Sequence, residues 1–357
     1  MPEISKIGEA KILDWIERNY RFQKDSGLLI GPGDDAAVLK TSPGKVLVIT
    51  TDEMVEGVHF PDYTGYPAEI AQKLLRINLS DLAAMGNVKP LVCVVGAGLP
   101  RNLPVEWVKK FTRSLAVEAK AFGLSLAGGN LARSKTLHVY ATVLGEALPG
   151  EIITRYGAKS GDYVYSAGFL GDAKAGLEIA EGAGRNSRTA AEQRASGSSS
   201  VGRYATRPAG VGGYADDRKS LLEKTLLSRF RNPEPMFKAG GILGKFRLAT
   251  ALIDNSDGLM RSLEIISGAS KCGIRVSLGK KAVSKELIEY AGLKKKNWRG
   301  YALSGGEDYG LIFFAKPENE NRILKLIPQA VKIGAVEKGR GVFVENYGSA
   351  LETFEHF

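Results

Sequence analysis

ATALIDNSDGLMRSLEIISGAS, residues 249–270, is a short apolar run, a polar turn with two carboxylates, and a second apolar segment that closes on small residues. It reads as a strand, an acidic turn and a helix, with Asp254, Ser256 and Asp257 in the turn. The same alternation extends to both sides. KVLVITTD (45–52) is a strand ending on a carboxylate. PAEIAQKLLRINLSDLAAMG (67–86) puts Ile70, Leu74, Leu75, Leu79 and Leu82 at helical spacing and stops at Gly86. LVCVVGAGLP (91–100) is a strand, and PVEWVKKFTRSLAVEAKAFG (104–123) a helix with Pro at its start and Gly at its end. LSLAGGN (124–130) and TLHVYATVLGE (136–146) follow as strands. GAKSGDYVYSAGFLGDAKAGLEIAEG (157–182) predicts a turn, a strand, a glycine turn and a helix capped by Asp172. RGYALSGGEDYGLIFFAKP (299–317) predicts two strands joined by an acidic glycine turn. Strands interleaved with helices specify an α/β (α+β) chain.

The 357 residues suffice for two domains of ordinary size, and LPGEII (148–153) is the expected boundary: 1–150, then 151–357. With 44% hydrophobic and 25% charged residues the composition is that of a globular protein. No apolar run approaches the roughly 20 residues of a membrane span, and the first residues lack the apolar core of a signal peptide. Cys93 and Cys272 are the only cysteines, which excludes a disulfide framework or zinc cluster and suits a reducing cytoplasm. The net charge of +10 favours anionic ligands without being a nucleic-acid signature, and no nucleic-acid or membrane partner is expected. Part of that charge sits in residues 184–218, which hold six Arg against three acidic residues and no Leu, Ile, Phe or Met. Such a segment buries too little apolar surface to offset its ordering entropy and reads as a flexible insert.

The chemistry gathers where strands end. Asp34 and Asp35 lie in GPGDDAAVLK (31–40); Thr50, Thr51 and Asp52 close a strand; Asp254, Ser256 and Asp257 follow another; Glu307 and Asp308 fill a turn. Asp81 interrupts an otherwise apolar helix, where a charge needs a partner. Each acid alone fits a solvated loop or a helix cap. As a set they supply the hard oxygen ligands that magnesium shares with substrate phosphates and water. LAGGN (126–130) and SAGFLGDA (166–173) leave backbone N–H groups available for phosphate oxygens, although plain turn geometry accounts for them equally. No Walker-type or protein-kinase signature occurs. His59, in EGVHF, is one of three histidines, and TFEHF (353–357) ends the chain with aromatic residues.

Taken in order, GPGDDAAVL, TTDEMVEGVHF, NLSDLAAMG, LAGGN, RYGAKSGDYVYSAG, IDNSDGL, LSGGEDY and the terminal HF resemble thiamine-monophosphate kinase, in the superfamily of aminoimidazole ribonucleotide synthetase and selenophosphate synthetase. The resemblance implies a two-domain fold of the aminoimidazole ribonucleotide synthetase kind, its N-terminal domains pairing as a dimeric β-barrel beside a C-terminal α/β domain. It implies a cytoplasmic homodimer that uses ATP and several Mg2+ ions to phosphorylate thiamine monophosphate. By position, Asp34, Thr50, Thr51, Asp52, Asp81, Asp254 and Asp257 correspond to the magnesium shell, with Asp34, Asp52, Asp81 and Asp257 central to catalysis. Gly129, Asn130, Arg155 and Ser256 correspond to nucleotide contacts, and His59, Glu307 and Phe354 to contacts with the thiamine moiety. Asn130 departs from the family's GGD, and Asn255 stands where the family usually has an apolar residue. Two other readings stay open: a catalytically impaired nucleotide-binding protein with a regulatory role, and a related enzyme acting on another small phosphate or carboxylate.

Overall fold

The computed structural model describes residues 27–30, 38–60, 66–182 and 213–345. The described residues begin with a small ribbon, β1 (Leu28–Ile30) and β2 (Val38–Leu39). A four-stranded sheet follows, from β3 (Val46–Val55), β4 (Lys89–Leu99), β5 (Ser125–Arg133) and β6 (His138–Ala147), in the order β3-β6-β4-β5. β6 is antiparallel to both neighbours, whereas β4 and β5 are parallel. Parallel neighbours need a crossover, and α2 (Val105–Ala121) supplies it. α1 (Pro67–Ala84) joins β3 to β4 and has Pro67 in its first turn. It ends before Gly86, whose φ of +97° is left-handed. One face of this sheet is sealed by α1 and α2, with Leu74, Leu79, Leu82, Phe111, Leu115, Val139 and Val143 in a common core. The other face leaves Leu47 and Ile49 of β3 exposed.

A second sheet takes in β7 (Tyr163–Ala167), β8 (Ala251–Asp254), β9 (Gly273–Val276), β10 (Leu311–Ala315), β11 (Ala330–Glu337) and β12 (Gly341–Val344), ordered β12-β9-β11-β7-β10-β8. All its pairings are antiparallel except β9 with β12. β10, LIFFA, is buried throughout because helices cover both faces. The helices of this half are α3 (172–182), α4 (Gly213–Arg231), α5 (Phe237–Lys245), α6 (Leu259–Ser270), α7 (Lys285–Leu293), α8 (Trp298–Ser304) and α9 (Glu320–Leu326). α6, α7 and α8 pack into one core with Ile312 and Phe314, while Ala239 and Leu243 of α5 pack with Tyr165 and Phe313 in another.

α1 is the hinge of the architecture. Its Leu74 and Leu79 belong to the first sheet's core, and its Ala84 belongs to a core shared with Leu311 and Phe313 of the second. α5 crosses it so closely that a Cβ on Gly240 would lie 2.1 Å from the Ala83 carbonyl oxygen. A glycine is therefore required at that crossing. No helix among the described residues is long and apolar enough to cross a membrane.

Three expectations need correction. The segment before the acidic glycine turn is the helix α8, not a strand, because Asn297 caps it by accepting from the Arg299 N–H at 3.0 Å. Asp172 does not cap α3: the N–H groups of Gly171 and Ala173 donate instead to Asp308, at 2.5 and 2.9 Å. Asp172 turns aside to accept from Ser284 and to pair with Arg229, each at 2.6 Å. Of the expected insert, residues 213–218 already belong to α4, and 184–212 lie outside the described residues.

Candidate active site

Strand β3 is an edge strand, and its alternation sends Thr50, Asp52 and Met54 toward α1. There Thr50 Oγ1 donates to Asp81 Oδ2 at 2.5 Å, which gives the acid in the apolar helix its partner. One residue earlier on α1, Ser80 Oγ donates to Asp254 Oδ2 at 3.2 Å and to the Tyr309 carbonyl at 3.3 Å. Ser256 Oγ donates to Asp254 Oδ1 at 3.0 Å. The acidic turn after β8 and the acidic glycine turn before β10 lie back to back. Glu307 N–H donates to the Ser256 carbonyl at 2.6 Å, and Tyr309 N–H to that of Asn255 at 3.1 Å. A Cβ on Gly306 would approach the Ser256 carbonyl to 2.7 Å, so the contact needs glycine. Glu307 and Tyr309 are themselves left-handed, with φ of 63° and 50°, a costly conformation that the clamp around them sustains.

These elements enclose a cavity of about 850 Å³. Asp52, Asp81, Asp257, Ser256, His59 and Glu307 line it, with Lys73, Lys174 and Tyr309. Asp254 lies behind this wall, 2% exposed. Burial first, then repulsion from Asp81, Asp254, Asp257 and Glu53, pushes Asp52 up to about 7. Asp254 also rises to about 7, through burial and then Asp81, against the hydrogen bonds from Ser256 and Ser80. Asp81 is raised by burial, opposed by Thr50 and Arg155. Carboxylates held this close, in so little water, resist carrying their charges together.

Asp52, Asp81, Asp254, Asp257, Ser256, His59 and Glu307 thus come together. His59 Nδ1 accepts from Val55 N–H at 3.0 Å, which leaves Nε2 as the ring's donor. Arg155 is exposed, yet near enough to hold down both Asp81 and Asp254. Thr51 is not brought in through its side chain: it faces the opposite side of β3, where its Oγ1 donates to the Ala141 carbonyl at 3.1 Å and accepts from Thr142. Gly129 and Asn130 sit on β5, and the row Asp52–Ala141–Val95–Gly129 runs across the whole sheet. Three strand spacings separate its ends, about 14 Å. Asp34 and Phe354 lie outside the described residues.

Lys73 was missed by sequence reading. It is 4% exposed, paired with Glu307 at 3.1 Å. The signal was present: Ile70, Leu74 and Ile77 form an apolar stripe on α1, and Lys73 interrupts it as Asp81 does about two turns beyond. Asp308, read as one of the acidic turn residues, is a structural clamp, fully engaged by Gly171 and Ala173 N–H and approached by Asn255 Nδ2 at 3.2 Å. That contact gives the unexpected polar residue at 255 its place.

Among the described residues no three His, Cys, Asp or Glu converge closely enough to hold a metal ion alone. The donors still fit magnesium. This ion takes one or two carboxylates and completes its shell with water and substrate phosphates, and a cation would relieve the repulsion that raises Asp52 and Asp254.

Residues 33–147 match the family profile of AIR synthase related protein, N-terminal domain. The thiamine-monophosphate kinase of Buchnera aphidicola subsp. Acyrthosiphon pisum is 30% identical over 90% of this chain and 87% of its own length. The crystal structure of thiamine-monophosphate kinase from Stenotrophomonas maltophilia K279a superposes with a TM-score of 0.74 at 28% identity, covering 95% of this chain and 96% of that one. A structure of AaThiL complexed with AMPPCP and TMP superposes with a TM-score of 0.71 at 27% identity, over 100% of this chain and 99% of its own.

Proposed function

The chain belongs to the thiamine-monophosphate kinases, and on that premise we propose that it transfers the γ-phosphoryl group of ATP to the phosphate of thiamine monophosphate, giving thiamine diphosphate and ADP. The observation that carries this reading is the single cavity in which Asp52, Asp81 and Asp257 face Glu307 and His59, in a chain that superposes end to end on a relative holding AMPPCP and TMP.

The acceptor phosphate is already ionised near neutral pH, so no strong protein base is needed; positioning and charge stabilisation carry the reaction. Magnesium ions, when bound, neutralise the donor phosphates and orient them. Asp34, Thr50, Asp52, Asp81, Asp254 and Asp257 are the residues we assign to hold them. Thr50 fixes Asp81, and Ser80 and Ser256 fix Asp254, so the acids keep their orientation whether or not they are charged. Arg155 supplies a cation beside Asp81 and Asp254. His59 and Glu307 line the same cavity and suit the polar groups of the thiamine moiety. Gly129, Asn130 and Phe354 keep their assignments as nucleotide and substrate contacts.

The working unit is a homodimer. Leu47 and Ile49, exposed on the outer face of the first sheet, support pairing through that face. Division of the chain near residue 150 and a cytoplasmic setting complete the reading, the latter supported by two free, buried cysteines. Purified protein with ATP, magnesium and thiamine monophosphate forms thiamine diphosphate, measured by chromatography. Absence of product under every metal condition refutes the assignment.

A further inference from the structure

We infer that Lys73 is a positioning residue for the acceptor: through its ion pair it fixes the Glu307 carboxylate at the cavity wall and ties the helix carrying Asp81 to the loop that faces the substrate. The inference rests on the reading of Glu307 as an acceptor contact. Lys73 Nζ lies 3.1 Å from Glu307 Oε2 and 3.8 Å from the centre of the Phe230 ring on α4. Its side chain is 5% exposed, that of Glu307 25%. An ammonium in such a place is retained at a desolvation cost that an apolar side chain of equal volume would avoid. Its two neighbours, a carboxylate and an aromatic face, are both groups that favour the charged form.

The loop from Ser304 to Tyr309 is anchored from several sides, and the anchors differ in what they hold. Asp308 accepts from Gly171 and Ala173 N–H, and Lys174 Nζ donates to Ser304 Oγ at 2.7 Å; both fix the loop to α3. Ser80 holds its backbone at Tyr309, and Ser256 holds the N–H of Glu307. With that backbone set, the remaining freedom of Glu307 is its side-chain torsions, and Lys73 removes it. One carboxylate oxygen is engaged by Lys73, and the residue lines the cavity that receives the acceptor. A glutamate held in place before binding spares the acceptor the entropy of ordering it.

The test is a double-mutant cycle in calorimetric affinity for thiamine monophosphate, which needs no turnover. Lys73→Met and Glu307→Gln each weaken binding by about tenfold, and the double variant is within about twofold of the weaker single, because one residue acts through the other. Affinity for AMPPCP stays within about twofold in Lys73→Met, which a general loss of structure would not allow. If Lys73→Met does not fold, Lys73→Gln, which is shorter but keeps a hydrogen-bond donor, enters the same cycle. Unchanged affinity in the Lys73 variant, or effects that multiply in the double variant, overturns the inference. Unchanged affinity in Glu307→Gln overturns it together with the reading of Glu307. A chain that makes no thiamine diphosphate yet shows the non-additive cycle would keep the latch and lose the proposed reaction.

Discussion

Replacing Asp52 by Asn isolates the electrostatic strain stored in the acidic cavity. In the folded chain Asp52 is pushed up to about 7 from 3.8, by burial and by its acidic neighbours. A group that binds its proton more tightly folded than unfolded contributes stability below its unfolded value, and that contribution is lost as pH rises through the folded one. Metal-free protein therefore loses stability between pH about 4 and about 7, and above that range carries the full penalty of an ionised Asp52. At about 1.36 kcal/mol per unit the shift corresponds to at most about 4 kcal/mol, and water relaxation around a partly exposed group brings this to about 2–4 kcal/mol. Asp52→Asn cannot ionise, so with chelator present it melts about 3–5 °C above wild type at pH about 8, and the two converge near pH 4. With magnesium the order narrows or reverses, because the cation stabilises only the carboxylate form. Scanning fluorimetry across pH, with chelator and with magnesium, reads all of this. Parallel melting curves for wild type and Asp52→Asn from pH about 5 to 8 in chelator would show that the acids are not strained, and the reasoning fails.

Three further outcomes are expected. Asn130→Asp tightens the magnesium dependence of turnover by about tenfold, since an anion replaces an amide at a nucleotide contact, where magnesium accompanies the phosphates; a magnesium titration identical to wild type removes residue 130 from the nucleotide site. Asp34→Ala abolishes phosphoryl transfer, while Asp35→Ala, from the same GPGDD turn, costs less; equal and mild losses in a turnover assay would return the doublet to an ordinary turn. Asn255→Leu changes stability by less than about 1 kcal/mol, because it removes the hydrogen bond to Asp308 and, with it, a buried side-chain oxygen that has no partner; a loss of several kcal/mol in chemical denaturation would show that the Asn255–Asp308 contact holds the site together.

The alternation of strands and helices, the helix ends at Gly86 and Gly123, and the acidic turns were all legible from local pattern, because each depends on spacing and turn chemistry within a few residues. The segment at 299–304 was misread because YALS is apolar enough for a strand, and only the Asn297 cap makes it helical. Asp172 has every local property of a helix cap. It loses that role to Asp308, 136 positions away by subtraction, which reaches the same N–H groups from a neighbouring loop. Lys73 looked like one lysine among many until α1 was found buried between two sheets.

The residues by themselves determined the chemistry on offer: carboxylates placed beside glycine at strand ends, one acid inside an apolar helix, and no preformed nucleotide loop of the common kinds. Tertiary structure decided which of them meet. It put α1 against both sheets, so that Asp81 faces Asp52 from one and Asp254 from the other. It turned Thr51 away and left Asn130 across the sheet. The physical reason is that side-chain type is a local property, whereas burial and repulsion depend on what long-range packing brings within a few ångströms. Only that packing raises Asp52 and Asp254 to about 7 and makes the set a place where a cation is needed.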